Sequence, residues 1–421
     1  MTDLIILFTL LVFIIVGFAK PQIAIMGYLW IDLVTPQKIA YGFMAGKPLS
    51  MVMAIVCILS FIIHLKKLNS IENKKVIVLL FTFAIWITLT TSFSLFPEQA
   101  WAKWDWAFKT IVIMALIPFT IKNNKDLEAL IWVFLLSVAF YTISAGAKTA
   151  LGGGGYGARL ISGGDNNGLS ESSTLALVAV VCLPLLVHFF NNTLLLRRTK
   201  SYQVFIFALI CTAIFTVIGS YARTGLIGLA LFGYFMFIKS KHKFGGLMLL
   251  LIGAGIVFTF APEAWFNRMG TIENSSADSS ALGRIVVWKW TVEFASSHIF
   301  GGGFNAYLAN LGLLDLFHDN QNISFAAKAK AFHSIYFEVL GEHGFIGLAI
   351  YLSIILTLLS QLKKIAKTRT CQWELGLSKA LSQSLLLFCV CGAFVGVAFQ
   401  PIFYILTAFV VSLSNIRYTN E

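Results

Sequence analysis

Thirteen stretches of this chain are apolar for long enough to cross a bilayer, or nearly so: about 3–19, 22–36, 48–65, 75–93, 107–121, 126–147, 171–190, 202–220, 223–239, 244–261, 334–362, 378–398 and 400–416. A helix that spans the hydrocarbon core needs roughly 20 apolar residues. Lipid offers no partner to an unpaired backbone group, so runs of this kind have to be continuous helices. The second run is short and holds Asp32, which fits a half-helix or a tightly packed hairpin arm, so 12 or 13 spans are expected. Composition agrees: 58% of the 421 residues are hydrophobic and 12% are charged, against about 25% charged in a soluble domain. A soluble enzyme, a disordered tail and a disulfide scaffold are excluded. The fold class is an all-α polytopic membrane protein.

The 31 Lys and Arg outnumber the 19 Asp and Glu, for a net charge of +12. Nucleic acid is not the reading, because no basic stripe stands on a polar helix. The basic residues fall instead in every second connection: Lys66, Lys67, Lys74 and Lys75; Lys122 and Lys125; Arg197, Arg198 and Lys200; Lys239, Lys241 and Lys243; Lys363, Lys364, Lys367 and Arg369; then Arg417. Cytoplasmic loops collect Lys and Arg, which puts these connections and the C-terminus inside. The alternate ones, about 94–106, 148–170, 220–223, 262–333 and 398–400, are then outside. Leu4 to Phe18 follows Asp3 without a basic leader and precedes Lys20-Pro21, so it reads as a retained membrane segment. Five of the six cysteines lie in apolar runs and Cys371 in a basic loop, with no CxxC spacing. They read as small packing residues.

Three parts follow from this: an N-terminal bundle over 1–261 with a Gly-rich outer loop at 148–170, a large outer loop over 262–333, and C-terminal helices over 334–421. Glycines crowd 152–168, either as a linker or as backbone that hugs a ligand. The stretch ends in Gly164-Asp165-Asn166-Asn167, where Asp165 suits a helix cap. The second loop runs for about 70 residues, and loops that long usually carry function or structure of their own. Within it, Ser280 to Ser297 predicts a helix with Ile285, Trp288, Val292 and Phe294 as its apolar contacts.

Ionisable residues at membrane depth or at a bundle mouth are functional candidates. Arg223 opens a helix in Ser220-Tyr221-Ala222-Arg223-Thr224-Gly225. Arg284 lies inside the large loop. His333 ends that loop in Ala331-Phe332-His333-Ser334-Ile335-Tyr336. All three come out on the outer side. Arginine grips phosphate with two parallel bonds, and histidine moves a proton near neutral pH. The plainer alternatives are an arginine that snorkels to headgroups and a structural loop histidine. His64, His188 and His242 keep that structural reading. Gly301-Gly302-Gly303-Phe304 could bring backbone close to a phosphate. No Walker, GxSxG or HExxH pattern occurs. Asp315, His318 and Asp319 have no specific ligand spacing, so neither a metal nor another cofactor is expected.

An enzyme working outside has no nucleotide sugar and needs a donor that arrives through the membrane. A glycan on a polyprenyl pyrophosphate fits. Arginines would neutralise the pyrophosphate as the glycosidic bond breaks, and a histidine would take the proton of the attacking hydroxyl.

At these residues the chain resembles the O-antigen ligase and polymerase superfamily of bacterial inner membranes. The resembling motifs are Tyr221-Ala222-Arg223-Thr224-Gly225 and His333-Ser334-Ile335-Tyr336, one on each side of the large loop. Ala222 and Thr224 stand where that superfamily usually has Ser and Gly. A narrower similarity is to the O-glycosylation ligases of exosortase A systems. It rests on Tyr28-Leu29-Trp30, Pro36 to Phe43, Gly164 to Asn167, Asp278 to Trp288, Gly301 to Phe304 and His333 to Gly347 with Gly341-Glu342-His343-Gly344. The resemblance implies a GT-C-type membrane glycosyltransferase that moves a glycan from undecaprenyl pyrophosphate to a hydroxyl on a lipid, protein or polysaccharide at the periplasmic face. By motif, Arg223 and His333 are its key groups. Arg284 is a second phosphate contact. Asp165, Glu338, Glu342 and His343 are further substrate contacts, with Glu338 and Glu342 on one helix face. A polysaccharide polymerase shares the donor and the arginines. A lipid-linked glycan transporter fits less well, because no internal repeat is visible and the candidates gather at one interface.

Overall fold

The computed structural model describes residues 2–151, 169, 171–239, 255, 279–311 and 329–416. Among these residues the regular structure is helical, without strands. In chain order the helices are α1 (Thr2–Ala19), α2 (Pro21–Val34), α3 (Pro36–Ile39), α4 (Leu49–Ile63), α5 (Lys75–Ser92), α6 (Pro97–Thr120), α7 (Asn124–Ala150), α8 (Ser172–Asn191), α9 (Lys200–Gly219), α10 (Arg223–Lys239), α11 (Ser279–Ser297), α12 (Ile335–Thr368), α13 (Gln372–Gly392) and α14 (Pro401–Asn415). Seven of them, α1, α5, α7, α8, α9, α12 and α13, are long and apolar enough to cross a membrane. Helices α4, α10 and α14 are apolar but shorter. The chain is an all-α, multi-pass membrane protein. Most of the apolar run at 244–261, most of the 148–170 loop and much of the 262–333 loop lie outside the described residues.

One boundary differs in a way that matters. The sequence assigns 94–106 to an outer connection and starts a span near 107. The helix instead begins at Pro97, a residue suited to the first helical position, with Glu98 in the first turn. Lys103 is therefore a helical residue. The predicted helix at 280–297 is present as α11, but its inner face is Val287, Thr291, Phe294 and Ala295, while Ile285 and Val292 are exposed.

Helix α8 sits at the centre, packed by α9, α10 and α13, and almost all of its side chains are buried. Helix α14 is buried along its length between α6, α12 and α13. Helices α1, α2 and α4 form a flanking layer, and α11 lies along α12. Among the described residues, the lysine- and arginine-rich connections gather at one end and are tied there. The Asn69 amide N–H donates to the Phe119 carbonyl at 2.8 Å. Asn415 donates to the Ser70 carbonyl at 3.0 Å, Arg369 to the Ile416 carbonyl at 2.7 Å, and Asn124 to Glu374 at 2.9 Å. The functional candidates lie at the other end.

Helix α12 is broken at Gly344, whose φ of 68° is not helical. The break releases backbone groups of the preceding turn, and the Gly301–Gly303 segment takes them up. The Gly302 and Gly303 N–H groups donate to the Gly341 and Glu342 carbonyls, both at 2.9 Å. A Cβ on Gly344 would clash with the Ile299 carbonyl oxygen, and one on Gly301 would stand 2.6 Å from the Glu342 backbone. The glycine triplet is thus a strap on the kinked helix. All three of its glycine N–H groups are engaged, Gly301 with the His298 carbonyl at 2.8 Å, which leaves none of them free to cradle a phosphate.

Candidate active site

A cavity of about 680 Å³ opens at the end opposite the basic connections. Its wall combines the start of α6 (Gln99, Lys103, Trp106), the start of α8 (Glu171, Thr174), Asn305 and Tyr307, the His333 segment with the first turns of α12 (Glu338, Glu342), and the Val395–Gln400 turn. Three of the sequence-derived candidates, His333, Glu338 and Glu342, line this one space.

His333 ends the large loop in a left-handed conformation, φ 47°, uncommon for a residue other than glycine. Its neighbours fix it there. Trp288 on α11 donates from Nε1 to the Phe332 carbonyl at 2.8 Å and stacks on Phe337 at 5.0 Å. Upstream, Asn310 clamps Lys330 through two hydrogen bonds of 2.8 Å, one to its carbonyl and one from its N–H. Asn305, φ 61°, and Tyr221, φ 53°, are two of the other non-glycine residues in this conformation. Such residues concentrate at functional sites. Burial, then the neighbouring Arg284 charge, lowers the His333 pKa below its ordinary value. Lys330 acts in the same sense, and Glu171 and Glu338 oppose it. The imidazole is therefore neutral at physiological pH.

Below His333 the cavity floor is a charged triad. Lys103 donates to Glu338 at 2.8 Å and to both oxygens of Glu342 at 2.9 and 3.0 Å. The other Glu338 oxygen accepts from the Ala398 N–H, and Glu342 also accepts from the Asn305 N–H, each at 2.9 Å. The ammonium lies 5.3 and 5.1 Å from the ring centres of Phe304 and Phe399, within cation–π range. Two carboxylates buried on one helix face need a counter-charge, and Lys103 supplies it. The sequence signalled the carboxylate pair by its i, i+4 spacing. It hid the partner, because Lys103 falls within 94–106, which the sequence assigns to an outer connection. Glu171 was missed too. It caps α8, accepting from the Thr174 N–H at 3.0 Å and its hydroxyl at 2.5 Å.

The remaining candidates divide. Arg284 projects from α11 close enough to bias the charge of His333. Arg223 opens α10 at the same end, since Gly225 two residues on abuts Ala176 in the second turn of α8. Arg223 is not among the described residues that line the cavity. His343 does not line it either. Its ring is fully buried, edge-on to Phe304 at 4.6 Å and Phe399 at 5.2 Å. Its Nδ1 pairs with the Thr90 hydroxyl at 2.6 Å, and its carbonyl accepts from Trp86 at 2.9 Å. In the structure it packs at the Gly344 break, outside the cavity lining. Asp165, Asp315, His318 and Asp319 lie outside the described residues.

Comparison with known families meets this geometry at its centre. Residues 206–352 match the family model described as O-Antigen ligase. That segment carries Arg223, Arg284, His333, Glu338 and Glu342. Residues 206–352 are an O-antigen ligase domain. The chain is thus an O-antigen ligase-like membrane enzyme, as its two motifs implied at the level of the superfamily. Residues 1–194 match a family of unknown function, DUF5935. No curated protein matches the chain. The cavity lies where the two matched segments meet: the ligase domain contributes His333 and both glutamates, while the N-terminal segment contributes Gln99, Lys103, Trp106, Glu171 and Thr174.

Proposed function

We propose that this protein transfers a glycan from undecaprenyl pyrophosphate to a hydroxyl acceptor at the periplasmic face of a bacterial inner membrane, as a GT-C-type ligase that needs no metal. The observation that carries the reading is His333, held neutral in a wide cavity beside Arg284 and above the Lys103 triad. The gathering of basic connections at the far end supports a periplasmic cavity, because such loops face the cytoplasm.

In this mechanism the acceptor hydroxyl attacks the anomeric carbon opposite the leaving group. The carbon–oxygen bond to phosphate breaks, and the electron pair leaves with undecaprenyl pyrophosphate. His333 takes the hydroxyl proton. Arg284 and Arg223 hold the pyrophosphate as its charge develops. The triad carries two carboxylates for one ammonium, so an anion is disfavoured at the floor. The pyrophosphate then belongs near the arginines and the neutral sugar hydroxyls near Glu338 and Glu342. Asp165 remains a further proposed substrate contact. The acceptor hydroxyl belongs to a lipid, a protein or a polysaccharide.

The test is transfer by the purified protein from an undecaprenyl-pyrophosphate glycan to candidate acceptors, with EDTA and without nucleotide. One glycan per acceptor is the expected product. A ladder of lengths would show a polymerase instead, and abolition by EDTA would remove the claim of metal independence.

A further inference from the structure

A second cavity, of about 360 Å³, lies at the lysine-rich end between α5 and the last third of α12. It is lined by Asn73, Lys75, Leu356, Thr357, Ser360, Gln361 and Lys364. No carboxylate is among these residues, and two of them are lysines. The start of α5 forms one wall, so the positive end of a helix dipole adds to the lysine charges. These features alone would describe an ordinary basic surface. Gln361 makes it something more. Its side chain is 94% buried, at 6% relative exposure, and both amide atoms, Oε1 and Nε2, lack a hydrogen-bond partner. Buried polar groups are almost always paired, and leaving one unpaired costs about 1–3 kcal/mol. A buried amide unpaired at both ends, on the wall of a cationic cavity, calls for a ligand that is anionic and offers an acceptor to Nε2 and a donor to Oε1.

The cavity also has an apolar side. Leu356 is 66% exposed on its edge, and Val78 and Leu352 continue an exposed apolar strip along the same two helices. We propose that this cavity binds the phosphate headgroup of an anionic glycerophospholipid of the cytoplasmic leaflet. Lys75 and Lys364 would pair with the phosphate, and the Gln361 amide and Ser360 hydroxyl would donate to its oxygens. The acyl chains would run along Val78, Leu352 and Leu356. The bound lipid would brace α5 against α12 at the end opposite the catalytic cavity. That matters there because α5 holds His343 through Thr90 and Trp86, and α12 carries the two glutamates.

Native mass spectrometry of the full-length, detergent-purified protein tests this. Phosphatidylglycerol, phosphatidylcholine and inorganic phosphate are the probes. The expected result is retention of one phosphatidylglycerol in preference to phosphatidylcholine. Retention should fall on the order of tenfold or more in Lys75→Ala/Lys364→Ala. It should also fall in Gln361→Leu, which keeps the volume and removes the donor. Lys66→Ala/Lys67→Ala, on the same face but outside the cavity, should retain the lipid as wild type does. Equal loss in that control, or no loss in the cavity variants, would overturn the site. Inorganic phosphate binding as tightly as the lipid would assign the cavity to a free phosphate and overturn the lipid reading. Glycan transfer is not the readout, so failure here leaves the catalytic proposal standing, and the converse holds.

Discussion

An imidazole that is to take a proton from a hydroxyl has to arrive without one, and the surroundings of His333 arrange this through burial and the Arg284 charge. The sign is fixed: with the folded value depressed, the neutral form persists below the ordinary imidazole value of about 6.5. The acid limb of kcat/KM should therefore fall below that pH. Arg284→Gln removes a cation and should move the limb upward while lowering the rate. A limb that stays put would separate Arg284 from His333. At Arg223 the expected loss comes even from Lys, which keeps the charge but not the paired donors. Transfer that survives Arg223→Ala would take that residue out of the mechanism. These groups were legible because arginine and histidine are rare in apolar sequence and the motifs sit on either side of the long loop. Lys103 was not, since its meaning depends on where α6 begins and on two carboxylates 235 and 239 positions away.

Among the elements, the kinked helix α12 decides the shape of the site. Gly344 carries a φ of 68° and faces the Ile299 carbonyl. Gly344→Ala should therefore lower the thermal midpoint and transfer together, whereas Gly46→Ala, at φ 68° in open space, should cost only the local backbone strain. Lys103→Met leaves two buried carboxylates without their cation and should destabilise by about 3–5 kcal/mol. A double exchange, Lys103→Met with Glu342→Gln, should recover part of that stability in a denaturation series, and strict additivity would show that the pair is not coupled. Apolar periodicity and length revealed most helices. They could not place the start of α6, whose first turns are polar and aromatic, or the break in α12, which a single glycine conformation makes. The contact face of α11 was misjudged in part, because Ile285 and Val292 look as apolar as the residues that pack.

At the scale of the molecule, a latch of basic connections at one end and a cavity at the other make the bundle polar along the membrane normal. Single cysteines at Lys67 and Lys122 should resist a membrane-impermeant thiol reagent in intact spheroplasts, and one at Gln99 should react. The reverse pattern would invert the topology and with it the periplasmic reading. The cavity joins two family segments, so the ligase-matching segment does not line it alone. The sequence could divide the chain into bundle, loop and C-terminal helices, but not show that one site draws on all three. The most direct measurement is glycan transfer from undecaprenyl pyrophosphate by wild type and His333→Ala, side by side at neutral pH with EDTA. The account predicts transfer by wild type and a loss of at least a hundredfold in the variant. Equal transfer by both would contradict the central role given to His333.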